Sequence, residues 1–215
     1  MSDPVFEGVY GTFSITAADR REVAGYRLAL LTAALAQLAL LAQWYWLGTS
    51  LLWPWWLLMA TALGLALRWI HIYLRPLHRA LQLFWLLGCL GSALLALRVG
   101  PGQMAAAVAE RPLWLLALGP LYAALAGIGF KEFFCFRRAE AIGVTLLLPV
   151  ALLGKLVGLL DGRTTLMLLA LEAVLLLVLC LRKLPMDAAA DVGDKSVFAY
   201  LEAQRQADVS ASGGP

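Results

Sequence analysis

Six apolar stretches of bilayer-crossing length follow one another along this chain, and its basic residues fall almost entirely on every second connection between them. A helix rises about 1.5 Å per residue, so about 20 apolar residues traverse a hydrocarbon core of about 30 Å. The stretches cover residues 28–47, 51–70, 77–97, 113–130, 139–160 and 164–181, the fourth reaching full length only with its flanks. Backbone groups in lipid must satisfy one another, which confines single apolar runs of this length to helices. The expected fold is therefore all-α: a polytopic membrane helix bundle of about six transmembrane helices.

Composition agrees, with 62% hydrophobic and 14% charged residues against about 45–50% and about 25% in soluble domains. The spans use most of the 215 residues. That leaves an N-terminal segment (1–27), a six-span domain (28–183) and a tail (184–215), with no room for a separate catalytic domain. The segment 1–27 is mixed and partly acidic and lacks a basic region followed by a short apolar core, so the first stretch is expected to be a span and not a cleaved leader. Cys89, Cys135 and Cys180 have no close spacing, which gives no basis for a disulfide framework or a C-x-x-C zinc pair. No cofactor is called for, and nothing points to nucleic acid.

Of the 17 Lys and Arg residues, 13 fall on one side of the predicted bundle. Arg98, Arg111, Lys155 and Arg163 fall on the other. Retention of cations in the cytoplasm then puts both termini inside. The opposite turn is flanked by Trp44, Tyr45, Trp46, Trp53, Trp55 and Trp56, rings suited to an interfacial belt at the outer face. Near the N-terminus, Val9, Gly11, Phe13 and Ile15 alternate with polar residues, a period-two pattern that reads as extended chain. Thr16 and Asp19 then have the spacing of a helix-start capping box. Ser196 is expected to cap a short tail helix with Val197, Phe198 and Leu201 on one side, before Ser-Ala-Ser-Gly-Gly-Pro ends without structure.

The densest polar cluster runs from Arg68 to Arg79. Pro76 biases the residue before it away from helix, so the turn falls at Leu74 and Arg75 and the next helix opens at Pro76. His71 and His78 then face each other across a corner, where two imidazoles offer lone pairs to a metal, a haem iron or a pigment magnesium. The next loop on that side, Phe130 to Arg138, interleaves aromatics with charge. Together the loops give a candidate cytoplasmic docking face of Arg68, His71, Arg75, His78, Arg79, Lys131, Glu132, Cys135, Arg137 and Arg138. Such a face suits anionic headgroups or an acidic partner at about 1 kcal/mol per basic residue. Cys135 has basic neighbours but no evident base for nucleophilic catalysis.

Inside the membrane, Glu172 requires a protein partner, because an acid near a helix centre costs about 2.5–3.5 kcal/mol. A tight turn at Asp161 and Gly162 puts Lys155 and Glu172 at about 9 and 13 Å along adjacent antiparallel helices, which makes them a candidate intramembrane pair: a structural clip or a relay. Pro120 and Pro149 each remove a helical hydrogen bond. Gly119, Ala123 and Gly127, with Gly154 and Gly158, mark seams where helices approach closely.

The segments Val9-Tyr10-Gly11-Thr12-Phe13 to Ala18-Asp19-Arg20-Arg21-Glu22-Val23, Trp69-Ile70-His71-Ile72-Tyr73-Leu74 to Pro76-Leu77-His78-Arg79, and Phe130-Lys131-Glu132-Phe133-Phe134-Cys135-Phe136-Arg137 resemble a cyanobacterial and plastid-lineage family of integral membrane proteins, domain of unknown function 2301. The resemblance covers residues 5–181 and leaves out the tail after Leu184. It implies a multi-pass protein of a plasma or thylakoid membrane and a partner among the larger photosynthetic or respiratory complexes. It supplies no reaction. The leading expectation is a non-enzymatic accessory, assembly or docking protein embedded in the lipid bilayer. One alternative is a small proton- or ion-coupled transporter or channel using Glu172 and Lys155, and another is a pigment or haem binder through His71 and His78.

Overall fold

The computed structural model describes the backbone of residues 3–212 and, Ala199 apart, the side chains of residues 3–206. Residues 213–215, part of the ending expected to lack structure, lie outside the described residues. The chain divides into two compact units: residues 26–185, and the residues up to 25 together with those from 186.

The larger unit is a helix bundle. Helix α1 (Ala17–Leu47) runs into it, followed by α2 (Trp53–Trp69), α3 (Arg75–Val99), α4 (Met104–Glu110), α5 (Leu115–Phe136), α6 (Ala139–Leu156) and α7 (Gly162–Lys183). Five of these, α1, α3, α5, α6 and α7, are long and apolar enough to cross a membrane. Of the six expected spans, α2 is the one that falls short: its 17 residues reach about 26 Å. The turn before α3 falls where Pro76 requires, with Leu74 extended and Arg75 opening the helix. Helix α4, flanked by tight turns at Pro101–Gln103 and Pro112–Trp114, was not legible in the sequence, because its Ala-rich run carries no strong period. Pro120 and Pro149 lie inside continuous helices.

Helix α3 packs on α5, α5 on α6 and α6 on α7. The closest approach is between α3 and α5. A Cβ added at Gly88 would strike the Leu121 backbone, one at Gly91 would strike the Ala117 backbone, and one at Gly127 would meet Leu81. These contacts keep one antiparallel register, numbers rising along α3 as they fall along α5. Of the expected small-residue seams, Gly127 and Gly154 do meet side chains, but Gly119 faces open space. Gly158 serves a turn, with φ +77°. Four-residue spacing shows which small residues share a face, not whether that face meets a helix or lipid.

Helix α2 is fastened to α3 by indole hydrogen bonds: Trp85 Nε1 donates to the Ala60 carbonyl at 2.8 Å and Trp56 Nε1 to Ser92 Oγ at 3.0 Å. Trp55 donates to Gln43 at 2.7 Å. Of the expected aromatic belt, Tyr45 and Trp46 are exposed, while Trp44, Trp55 and Trp56 are partly buried against the core. Helices α5 and α6 are joined through Arg137 and Arg138. Arg137 adopts φ +50° and donates its N–H to the Phe133 carbonyl at 2.7 Å, closing α5 within one residue.

The smaller unit brings both chain ends together. Strands β1 (Val5–Gly8) and β2 (Gly11–Ser14) form an antiparallel hairpin pairing Phe6 with Phe13, whose rings stack at 5.7 Å. The extended reading of residues 9–16 was thus half right: Val9 and Tyr10 are the turn. Their N–H groups donate to Asp194 Oδ2 at 2.7 Å and Ser196 Oγ at 3.0 Å. Asp194 lies between α8 (Ala188–Val192) and α9 (Ser196–Ser212). Gly8 must be glycine here, because a Cβ would collide with the Asp194 and Ser196 side chains. Ser196 is the first residue of α9 and not its cap; Asp194 accepts from both the Ser196 N–H and hydroxyl. The helix also runs through Ser210, Ala211 and Ser212, expected to lack structure. Phe198 and Leu201 stay exposed, while Tyr200 stacks on Tyr10 at 4.1 Å. A small core of Ile15, Val23 and Val192 fills the interior.

The Thr16–Asp19 capping box forms, with Thr16 N–H to Asp19 Oδ2 at 2.8 Å and Asp19 N–H to Thr16 Oγ1 at 3.2 Å. Lys195 completes it at 2.8 Å from Asp19. Burial acts to raise the Asp19 pKa, but the Lys195 ammonium and the Thr16 hydrogen bonds outweigh it and the net shift is downward. A depressed carboxylate stabilises the fold above its ordinary pKa of about 3.9 and loses that contribution as pH falls through the lower folded value.

Two outcomes follow. Acidification through that range should lower the protection factor of the Thr16 amide against hydrogen exchange, and Asp19→Asn should lower it even at neutral pH. In the bundle, Gly91→Ala should cost about 1–3 kcal/mol by overpacking, read as a lowered unfolding midpoint in detergent, whereas Gly119→Ala should leave the midpoint unchanged or raise it.

Candidate functional site

Helix α7 carries Thr165, Glu172 and Lys183 on one buried face. Thr165, Leu169, Glu172, Leu176, Leu179, Cys180 and Lys183 recur at spacings of three or four, the period that stacks side chains along one side of a helix. The chemistry of the bundle is arranged along this face, at its start, its middle and its end.

At the start of α7 a cavity of about 150 Å³ opens. Its wall includes Trp44, Trp53, Trp56, Tyr122, Leu169 and Lys155. Helix α4 contributes through Met104 and Val108, so the element missing from the sequence reading forms part of the site. The Trp56 and Tyr122 rings meet at 5.5 Å. The Asp161 carboxylate caps α7 through the Thr164 N–H at 2.6 Å, which holds its pKa below the usual range. The Thr165 hydroxyl is spent on the Asp161 carbonyl at 2.7 Å.

Midway along α7, Glu172 is fully buried and accepts a hydrogen bond from the Gln37 amide of α1. Gln37 Oε1 and Glu172 Oε1 have no partner among the described residues. A proton on the carboxyl turns one of these two acceptors into a donor. Glu172 stands one turn below the cavity-lining Leu169 and within electrostatic reach of Tyr122.

The expected pairing of Lys155 with Glu172 does not form. Lys155 sits in the last turn of α6 and lines the cavity, while the Glu172 side of α7 turns to α1. Similar depth on adjacent helices was a necessary condition, and the helical faces supplied the other half. Gln37 escaped notice because a lone amide in an apolar run looks like tolerated polarity; its signal was its depth, about 15 Å from the helix end, equal to that of Glu172.

At the far end of α7, Glu132 is 0% exposed, Lys183 1% and Lys131 5%. Glu132 accepts from the Tyr26 hydroxyl at 2.7 Å, from Lys183 at 2.6 Å and from Lys131 at 3.1 Å. Both ammonium groups also stand over the Tyr26 and Phe136 rings, Lys183 at 4.3 Å from the latter. Lys131 and Glu132 were expected on the docking face, and the structure moves them into the core. Their aromatic neighbours give the stretch a surface character in sequence, and only the packing of the Lys131–Glu132 edge of α5 on α7 buries them. Beside them Glu140 takes Arg182 at 2.9 Å and Arg138 at 3.5 Å.

The rest of the expected face remains on the surface: Arg68, Arg75, Arg79, Cys135 and Arg137 are exposed and Arg138 is partly so. The α3–α5 register sets Arg75 level with the end of α5, which brings both loops to one end of the bundle. His78 Nε2 lies 2.7 Å from the Leu67 carbonyl and must donate to it, so that nitrogen carries a proton and offers no lone pair to a metal. His71 is half-buried.

Residues 65–200 match the model of a family of uncharacterized integral membrane proteins, DUF2301, over more than half of the chain. The chain belongs to that family. The match takes in part of the tail, which the resemblance had left out, and does not include the motif at residues 9–23. No curated protein and no solved structure matches the chain. It is a multi-pass integral membrane protein, and its fold and site rest on its own geometry.

Removing the Glu132 carboxylate would leave two buried ammonium groups without a counter-charge, a class of change that costs about 3–5 kcal/mol. Glu132→Gln should therefore abolish recovery of monodisperse protein in mild detergent, while Glu140→Gln, whose Arg182 partner is largely exposed, should cost under about 1 kcal/mol.

Proposed function

We propose that the protein is a non-enzymatic carrier that moves a small molecule across its membrane with a proton carried by Glu172. The observation that supports this is the orphan pair Gln37 and Glu172, two acceptors without a donor at mid-bundle, one helical turn from the floor of a cavity open at one end. A purely structural clip satisfies both of its partners. This one is left incomplete beside a ligand-sized space, as expected of a group that takes up and releases a proton. In this reading α2 completes a sixth crossing, both termini are cytoplasmic because the basic loops lie at the Lys183 end, and the cavity faces outward. The buried Lys131–Glu132–Lys183 cluster closes the cytoplasmic end.

A second reading keeps the exposed Arg68, Arg75, Arg79 and Arg137 as a docking face for anionic lipid or an acidic partner, in a cyanobacterium-like plasma or thylakoid membrane. It predicts that charge reversal at Arg75 and Arg79 releases the protein from a larger complex on native electrophoresis.

The carrier reading is tested in sealed liposomes holding a pH-sensitive dye. With small organic acids and amides supplied outside as candidate cargo, an imposed pH gradient should collapse faster with the protein than without it, and Glu172→Gln should lower the protein-dependent rate at least tenfold with the fold intact. Gln37→Leu should fall between the two. Equal rates for the protein and Glu172→Gln would remove Glu172 from the mechanism.

A further inference from the structure

The cavity at the start of α7 has a chemical character that selects among ligands. Its wall is apolar and aromatic, and Lys155 is its single cationic residue. Lys155 is half-buried and makes no salt bridge among the described residues; the Asp161 carboxylate, bonded to the Thr164 N–H as the α7 cap, keeps its charge but feels Lys155 only as the weakest of its influences. A second polar group, the Tyr122 hydroxyl, belongs to a side chain 7% exposed and has no hydrogen-bond partner among the described residues. The Trp44 and Trp53 side chains also line the space, and neither indole N–H has an acceptor among the described residues. The lining offers one positive charge, hydroxyls at Thr49, Tyr122 and Thr165 that can donate as well as accept, and no carboxylate, so its charge is the complement of an oxyanion. Charge and size narrow the class further. One lysine balances one negative charge, and a dianion would leave net charge against apolar walls. A cavity of about 150 Å³ is of the size that accepts a benzene-like body.

We propose that this cavity binds a small monocarboxylate with an aromatic or compact apolar body, its carboxylate held by Lys155 and its body lying among Trp44, Trp53, Trp56 and Tyr122. The inference deepens the carrier reading and rests on it for the cavity's role. It also gives Lys155 a task other than pairing with Glu172: it neutralises the ligand's charge at the mouth, while Glu172 handles the proton below. A carboxylate and a proton moving together carry no net charge, so the load suits a pathway through an apolar bundle.

The test uses the full chain in detergent and the fluorescence of the lining tryptophans, with benzoate as the probe and benzamide as its neutral partner of equal shape. Benzoate should change the emission saturably and bind at least tenfold more tightly than benzamide. Lys155→Gln should weaken benzoate at least tenfold and leave benzamide within twofold, and Glu172→Gln should still bind benzoate. Benzamide binding as well as benzoate, or Lys155→Gln leaving benzoate unchanged, overturns the proposal. So does benzoate binding that appears only after bound phospholipid is stripped away, which would identify the natural occupant as a lipid chain. Equilibrium binding separates the two claims. Benzoate binding through Lys155 without Glu172-dependent proton flux would sink the carrier and keep the ligand class. Flux without benzoate binding would do the reverse.

Discussion

A carboxyl group sealed in an apolar bundle has to find its hydrogen bonds there, because lipid offers none. Two such groups organise this protein. Glu132 gathers Tyr26 of α1 and Lys183 of α7, and Glu172 of α7 holds Gln37 of α1. From Tyr26 to Gln37 is eleven residues forward along α1, and from Lys183 to Glu172 is eleven residues back along α7. The two tie points are therefore spaced alike on both helices, about 16 Å apart, and fix α1 against α7 in one antiparallel register. Apolar faces alone specify register poorly, since a helix that slides by one turn finds similar contacts. A buried ion pair gives little net stability; its value here is that a slipped register would strand it.

The rest of the bundle is held by a different force. Between α3 and α5, Gly88 and Gly91 let backbones meet, and dispersion between closely packed atoms replaces the hydrophobic drive that lipid cannot supply. Trp85 and Trp56 then fix α2 by spending their indole N–H groups on α2–α3 hydrogen bonds. The two tie points differ in completeness, and the carrier role proposed for Glu172 rests on that difference. Glu132 accepts from three donors, while Glu172 and Gln37 each keep an unmet acceptor. The complete set lies at the Lys183 end of α7 and the incomplete one a turn from the cavity.

Much of this was legible in the sequence, for reasons that can be named. Apolar runs of fixed length gave the helices, Pro76 placed the α2–α3 turn, and the Thr16–Asp19 box formed as its spacing required. What escaped depends on helix facing. Lys155 and Glu172 have compatible depths, but α7 turns its acid toward α1. Lys131 and Glu132 sit in a basic, aromatic stretch that reads as surface, and only the approach of Lys183 across the bundle draws them inside. The hairpin turn at Val9 and Tyr10 needs acceptors from residues more than 180 positions away, which no local pattern announces. Gly88 and Gly91 were present in the sequence, three apart, but without a facing helix nothing distinguished them from Gly119.

In the proposed carrier, the Glu172 and Gln37 side chains form one proton-accepting unit inside the membrane. Infrared difference spectroscopy of the protein in lipid, titrated across pH, tests it most directly. A titrating carboxyl band should vanish in Glu172→Gln and move in frequency in Gln37→Leu, which removes its hydrogen-bond donor. Identical difference spectra for the protein and Glu172→Gln across the whole titration would contradict it.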